Sequence, residues 1–318
     1  MSKPVIDILM ATYNGNCYVA EQLASIQAQT LTSWRLLISD DCSIDGTLNT
    51  IQSVSAVDSR IQLVSEGTRF GGAKQNFMHL LSLSDAPYIM FSDQDDVWLS
   101  DKVEKTLSEM RLLEAKYGKE SPLLVFADMA VVDEDLQLIA TSFEQYSKFD
   151  PDRIKFSQLL SFNIMAGCTM MLNRPLANMC LSEVNVAKLA MHDWWIALAA
   201  AAFGHIGYVD AAVSLYRQHS SNEVGALRYS PIARARQAEA MKQRFDDTLE
   251  QAGEFERVFG DKLDSVSAAC LSEYLMIRNE KTLHRGLGHL VVSGSMKPGL
   301  RKLGQIKMVY ETIRARRR

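Results

Sequence analysis

Short apolar runs alternate with segments of helical period through the first 130 residues. Val5–Ala11, Leu36–Ile38, Ile61–Val64, Tyr88–Phe91 and Leu123–Ala127 are each short, rich in aliphatic residues and bounded by polar or turn residues, the pattern of buried strands. Between them, apolar residues recur near a 3.6 spacing. They are Tyr18, Val19, Leu23 and Ile26, then Leu48, Ile51 and Val54, then Phe77, Leu80 and Leu81, then Val103, Leu107 and Met110. Strict alternation of strand and helix predicts an α/β fold, a mostly parallel sheet flanked by helices.

Beyond residue 130 the pattern loosens. A helix is expected over 153–160, a strand over 166–172, a helix opening at Met191-His192-Asp193-Trp194-Trp195, and an extended segment over 208–216. From Pro231 the pattern is helical, and Leu300, Leu303, Ile306, Val309 and Ile313 keep helical spacing to the end. The best break falls after Gly225, with no internal repeat and no low-complexity linker.

Charge changes this picture more than composition does. With 318 residues and 47% apolar content the chain can bury a substantial core and carry an appendage. Its net charge of −4 hides an asymmetry: residues 281–318 hold ten Lys or Arg against the single acid Glu311. An acidic body therefore carries a basic tail. Cys17, Cys42, Cys168, Cys180 and Cys270 are scattered without a CxxC pair, which suits reduced thiols in a cytoplasmic setting. The longest apolar run, 194–203, is shorter than the ~20 residues that cross a bilayer, and Lys3-Pro4 leads into a strand rather than a leader-type apolar segment.

The candidate chemistry sits at strand ends. Thr12-Tyr13-Asn14, Asp40-Asp41, Asp93-Gln94-Asp95-Asp96 and Asp128 each follow an apolar run, and open α/β sheets bind ligands at that edge. Carboxylates there can accept the N–H and O–H groups of a base and ribose. Asp93 and Asp95 are two apart and face one way on an extended chain. Clustered carboxylates repel unless a cation sits among them, and Mg²⁺ or Mn²⁺ bridging to phosphate fits. A solvated acidic turn capping the next helix is the competing reading, and the flanking YIMF and VW segments weigh against it. The chain has neither a GxGxxG turn after the first strand nor a Walker A sequence. Gly71-Gly72-Ala73-Lys74-Gln75-Asn76 either wraps phosphate or is an ordinary turn with a solvated lysine. Asp193, beside Trp194 and Trp195, is a general-base candidate or a helix cap, and either tryptophan could stack on a sugar. His219 either completes a metal site, binds phosphate, or is simply exposed.

The ordered series ATYNG, SDDCSIDGT, GGAKQNF, FSDQDDVW, AGCTMMLNR, MHDWW and YRQHSSN resembles the family 2 glycosyltransferases of GT-A fold, over about residues 4–225. The SDQDDVW form with HDWW and YRQH downstream is similar to the bacterial rhamnosyltransferase-like subgroup that builds surface polysaccharides of O-antigen or capsule type. The resemblance implies a catalytic domain over 1–225, with a nucleotide-sugar half to about 130 and an acceptor half over 131–225, followed by a helical region over 226–318. It implies an inverting enzyme using a nucleotide-diphosphate sugar and Mg²⁺ or Mn²⁺. Thr12, Tyr13, Asn14, Asp40 and Asp41 correspond to base and ribose contacts, with the choice between the two aspartates left open, and Lys74, Asn76 and Asp93 join the nucleotide side. Asp93 and Asp95 match the DxD pair, with His219 as a further metal or diphosphate ligand. Asp193 falls at the catalytic base, where many members show Glu-Asp and this chain shows His-Asp. Gly167, Cys168 and Thr169, with Trp194 and Trp195, fall on the acceptor side.

L-Rhamnose from dTDP-rhamnose is the favoured donor expectation, with UDP- or GDP-sugars as the alternative. A sugar-phosphate nucleotidyltransferase would need a glycine-rich basic loop after the first strand, which ATYNG lacks, and a non-catalytic scaffold would be expected to lose Asp193 or Asp95. The expected acceptor is a growing glycan on a polyprenyl diphosphate. The basic tail then reads either as a surface for an anionic membrane, peripheral on its cytoplasmic face, or as a helical appendage packing on the catalytic domain or on a second copy. Nucleic acid is disfavoured by the acidic body.

Overall fold

A computed structural model describes residues 5–219, 231–299 and 301–315, without the side chains of 231–241 and 315. The chain divides into two compact units. The first draws on Met1–Pro151, Met165–Leu181 and Gly204–Gly225, and the second on Asp152–Ile164, Ser182–Phe203 and Ala226–Arg318. The segments 152–164 and 182–203 thus group with the C-terminal helices. Residues 220–230, around the break expected after Gly225, lie outside the described residues, as do Ser220, Ser221 and Asn222 of the YRQHSSN segment.

The first unit opens as the apolar pattern dictates: β1 (Ile6–Thr12), α1 (Val19–Gln27), β2 (Trp34–Asp40), α2 (Thr47–Ser55), β3 (Ile61–Ser65), α3 (Ala73–Leu83) and β4 (Tyr88–Ser92). It continues with β5 (Val97–Trp98), α4 (Lys102–Tyr117), β6 (Leu123–Val132), β7 (Leu138–Ala140), α5 (Phe143–Ser147), and, after α6 (Phe156–Leu159) of the second unit, β8 (Met171–Asn173) and α7 (Arg174–Leu181). After α8 (His192–Phe203), again of the second unit, β9 (His205–Arg217) completes a nine-stranded sheet. Its order is β3-β2-β1-β4-β8-β6-β9-β5, with β7 on β6.

The first half of the sheet is parallel, as expected: β1 pairs with β2 and β4, and β2 with β3. The second half is mixed. β8 runs antiparallel to both β4 and β6, and β5 antiparallel to β9, while β6 and β9 are parallel. An apolar run reports burial on both faces and carries no direction, so the sequence pattern could not show this reversal. The strand expected over 166–172 is a 3₁₀ turn, Gly167–Thr169, followed by the three residues of β8.

One buried ion pair fixes the start of the sheet. Asp7 on β1 is fully buried. It accepts hydrogen bonds from Nε and Nη2 of Arg35 on β2 at 2.9 and 2.8 Å, and from Ser84 Oγ at 2.8 Å. A buried carboxylate stripped of such a partner costs about 3–5 kcal/mol.

The second unit is helical. It comprises α6, α8, α9 (Pro231–Phe259), α10 (Ser265–Met276), α11 (Leu283–Val292) and α12 (Arg301–Ala315). Its centre is aromatic: the Trp195 ring lies 5.3 Å from Phe255 and 5.5 Å from Phe259. The expected tail helix forms, and Val309 and Ile313 are buried on it.

His192 opens α8 and is buried, which depresses its pKa to about 3. The folded chain therefore keeps this ring neutral where the unfolded chain protonates it. Stability contributed at neutral pH is lost as pH falls from the ordinary histidine value of about 6.5 toward 3. His192→Leu should flatten the fall in urea-unfolding free energy between pH 7 and pH 4, and an unchanged slope would show that His192 titrates normally in the folded state.

Candidate active site

Parallel register brings the strand ends of the first unit together. Thr12 stands opposite Asp40, and Met10 opposite Ser92, the residue before Asp93. The turn after β1 is then clamped from both sides. The Gln94 amide accepts from Tyr13 N–H at 3.0 Å and donates to Tyr13 C=O at 2.9 Å. A Cβ on Gly15 would meet Gln94 Oε1 at 2.2 Å, so this approach requires glycine. Asn14 adopts φ 47°, which asparagine tolerates, and its Oδ1 accepts from Ile44 N–H at 3.0 Å. Tyr13 is left half exposed at the sheet edge.

The adjacent aspartates do different work. Asp40 is fully buried and accepts from Thr12 Oγ1 at 2.8 Å, Ser43 N–H at 2.7 Å and Ser43 Oγ at 2.6 Å. It ties β1 to the turn after β2. The Asp41 carboxylate accepts from the consecutive N–H groups of Phe70, Gly71 and Gly72, with Gly71 at φ 79°. The backbone donors that open the Gly71–Asn76 loop thus hold an anion of the chain itself. Asn76 is buried and donates to Ser39 C=O at 3.0 Å. Lys74 is half-buried on the first turn of α3.

The acidic strand end is organised by β9, whose antiparallel pairing with β5 carries Arg217 and His219 back to it. His219 Nε2 shares a hydrogen bond with Asp95 Oδ2 at 2.8 Å, and its ring stacks on Tyr18 at 4.8 Å. Arg217 is buried. It donates from Nε to Asp95 C=O at 2.9 Å and from Nη1 to Glu134 C=O at 2.6 Å, pairs with Glu21, and lies 4.6 Å from the Tyr18 ring centre. Its backbone N–H donates to Asp96 Oδ1 at 3.3 Å.

Beneath this rim lies a cluster the sequence reading missed. Asp96 and Lys102 are both buried. Lys102 Nζ donates to Cys168 C=O at 2.6 Å and lies 4.0 Å from the centre of the Trp98 ring. Ligand atoms of Asp93, Asp96 and Cys168 come within 4.8 Å of one another. Burial, then the neighbouring Asp95 charge, raises the Asp96 carboxyl. Burial lowers Lys102 and raises the Cys168 thiol well above its usual range. One signal was available: a lysine in the first turn of a helix opposes the helix dipole, so its position six residues after Asp96 needed a reason. Arg217, in the YRQH segment, had no role assigned.

The donors fit a hard divalent cation. Asp93 and Asp95 offer oxygen and His219 nitrogen, whereas the soft donor Cys168 is held protonated by burial.

The expected acceptor-side residues separate. Gly167, Cys168 and Thr169 are buried in the first unit, Thr169 Oγ1 donating to Ala166 C=O at 2.8 Å. Asp193, half-buried, is in the first turn of α8 in the second unit. Trp194 is half-buried and donates its indole N–H to Leu159 C=O. Trp195 is corrected: with no exposed surface, it is the aromatic centre of the second unit and offers no face to a sugar.

Arg217→Lys should lower stability by about 2–3 kcal/mol, because an ammonium cannot make the forked, charge-assisted contacts of guanidinium. Denaturant melts measure this, and a loss below about 0.5 kcal/mol would show that Arg217 does not hold the acidic strand end.

The family model for glycosyl transferase family 2 matches residues 7–118, from β1 through α4. A dTDP-rhamnosyl transferase, RfbG of Shigella flexneri, is 30% identical over 227 residues, covering 68% of this chain and 74% of the relative. WfgD of Escherichia coli, a UDP-Glc:alpha-D-GlcNAc-diphosphoundecaprenol beta-1,3-glucosyltransferase, is 28% identical over 179 residues, 56% of this chain and 64% of that one. The chain thus spans less than two thirds of the second relative. Among solved structures, S. aureus TarS 1-349 in complex with UDP-GlcNAc superposes with a TM-score of 0.56 at 14% identity, covering 98% of this chain and 91% of that one, a likeness of fold. The ordered strand-end motifs, their assembly at one sheet edge and these relationships agree: the chain belongs to glycosyl transferase family 2 and is a glycosyltransferase of GT-A fold.

Proposed function

We propose that the chain transfers L-rhamnose from dTDP-rhamnose, with inversion, to a growing cell-surface polysaccharide carried on a polyprenyl diphosphate at the cytoplasmic face of the membrane. The observation that carries the reading is the Asp95–His219 contact at 2.8 Å, a carboxylate and an imidazole brought together at the ligand edge of the sheet. The donor choice is supported by the dTDP-rhamnosyl transferase relative. The relative acting with UDP-Glc supports a second reading, the same reaction with a UDP-sugar.

In this mechanism Asp93, Asp95 and His219 would hold Mg²⁺ or Mn²⁺. When bound, the cation neutralises charge on the departing diphosphate. The half-exposed Tyr13 ring and the turn at Asn14 bind the nucleotide base. Asp193 accepts the proton of the acceptor hydroxyl as that oxygen bonds to the anomeric carbon. The bond from that carbon to the diphosphate oxygen breaks on the opposite face, and its electron pair leaves with the nucleoside diphosphate. A single base suffices, because direct displacement forms no covalent intermediate, unlike the paired carboxylates of retaining glycoside hydrolysis.

A thermal-shift panel of nucleotide sugars with and without Mn²⁺ tests the donor. A ligand at 100 times its Kd adds about 2.7 kcal/mol to the native state, a rise of several degrees. Metal-dependent stabilisation by dTDP-rhamnose that is lost in Asp95→Asn is the expected result. Stabilisation by UDP- or GDP-sugars alone would replace the donor and keep the site. Asp193→Asn should retain donor binding and lower transfer by about 10²–10⁴-fold, and full transfer activity in this variant would refute the assigned base.

A further inference from the structure

The second unit gathers cations where the transferase mechanism has no use for them. Phe162 follows α6. The Lys297 ammonium lies 4.9 Å from its ring centre, and the Arg301 guanidinium carbon 5.4 Å. Arg153 Nη2 donates to Met296 C=O at 3.4 Å, which brings a third cation beside Lys297. These side chains are partly exposed, as is Phe162. The segment is held in place: Lys297 N–H donates to Gln305 Oε1 at 2.7 Å, and Gln305 Nε2 to Ser295 C=O at 3.1 Å. Burial first, then the charges of Arg301 and Arg244, lowers Lys297 to about 8, and Arg301 is lowered by burial and then by Arg153. The cations thus repel one another in a partly dry setting, an arrangement that a bound anion relieves.

The same place has an apolar rim. α11 and α12 form a hairpin, and the bare backbone of Gly286 lets Val309 and Ile313 approach to 3.0 Å from where its Cβ would stand. With these faces packed inward, Val291, Val292 and Leu303 near the hairpin tip remain 63%, 68% and 64% exposed. Exposed aliphatic side chains on the two helix ends that flank Lys297 and Arg301 match an anionic lipid surface, which offers phosphate oxygens above hydrocarbon. A soluble anion would leave the rim unexplained.

We propose that Lys297 and Arg301 over the Phe162 ring, with Arg153 beside them, bind the phosphate group of a lipid-borne ligand at the tip of the α11–α12 hairpin, while Val291, Val292 and Leu303 enter the apolar edge of the lipid layer. Arginine forks suit phosphate oxygens in pairs, and the lysine adds a point charge. If the transferase reading holds, that ligand is the phosphate-bearing carrier of the acceptor. None of the site's residues has a role in the transfer chemistry proposed above.

The test is co-sedimentation of the full chain, without donor, on phosphatidylcholine vesicles with and without phosphatidylglycerol, with inorganic pyrophosphate as competitor. The wild-type chain should bind only the anionic vesicles, and pyrophosphate should displace it. Lys297→Gln with Arg301→Gln should weaken binding about thirtyfold, from ~1 kcal/mol per cation at such a surface. Val292→Ser with Leu303→Ser, at exposed positions that folding does not need, should also weaken vesicle binding while leaving thermal stabilisation by pyrophosphate intact. Lys262→Gln, which removes the charge of one exposed lysine of the same unit, should change nothing. Stabilisation by pyrophosphate without vesicle binding would overturn the lipid source. Vesicle binding unchanged in both double variants, or absent from the wild type, would overturn the site. None of these outcomes bears on sugar transfer, which is measured separately with soluble acceptor.

Discussion

Three carboxylates within four residues at the end of a buried strand are unstable together unless cations meet them, and the first unit is built around this constraint. Asp95 and Asp96 cannot both face inward, and alternation along the chain sends them different ways. Asp95 turns to His219 at the rim, while Asp96 goes under it toward Lys102. Arg217 joins the levels, donating from its side chain to the Asp95 carbonyl and from its backbone to the Asp96 carboxylate. The cations come from distant segments, Lys102 from the helix after the acidic strand and Arg217 and His219 from the last strand. The acidic end is therefore complete only when β9 has docked antiparallel to β5. The site and the late half of the sheet form together.

A second consequence concerns rigidity. Asp40, Asp41 and Asn76 look in sequence like groups waiting for a nucleotide, and each has a partner within the chain. These bonds fix the walls of the edge before any ligand arrives, so less conformational freedom is lost on binding. Tyr13 is the complement: its backbone is clamped by Gln94 while its ring is half exposed. A presented ring on a fixed backbone is a suitable platform for a flat base.

The first half of the fold was legible because its signal is local. Apolar runs and helical spacing fall where β1 to β4 and their helices form, and the carboxylates follow the strands they should follow. Strand direction in the second half was not legible, because β8 is three residues long and an apolar run carries no polarity. Site chemistry was read by residue type and motif order, which singled out Asp95 and His219, now seen in contact, and overlooked Lys102, since a lysine at a helix start is ordinarily solvated. Trp195 shows the opposite error. Two adjacent tryptophans beside an aspartate suggested sugar stacking, yet consecutive positions on a helix face about 100° apart, so the two rings cannot share one face. Trp195 takes the core beside Phe255 and Phe259, and Trp194 is left at its edge.

The segregation of charge along the chain follows from the same physics. The first unit is acidic, and a uniformly acidic protein would be repelled by an anionic lipid layer, whose field extends about a Debye length. Concentrating the basic residues in the last helices keeps their charge on a segment of its own along the chain. α12 keeps these roles apart on one helix: Val309, Thr312 and Ile313 are buried within the unit, whereas Lys302, Leu303 and Lys307 face outward. Such a helix can meet the lipid surface proposed above with its outer face while its inner face packs within the unit.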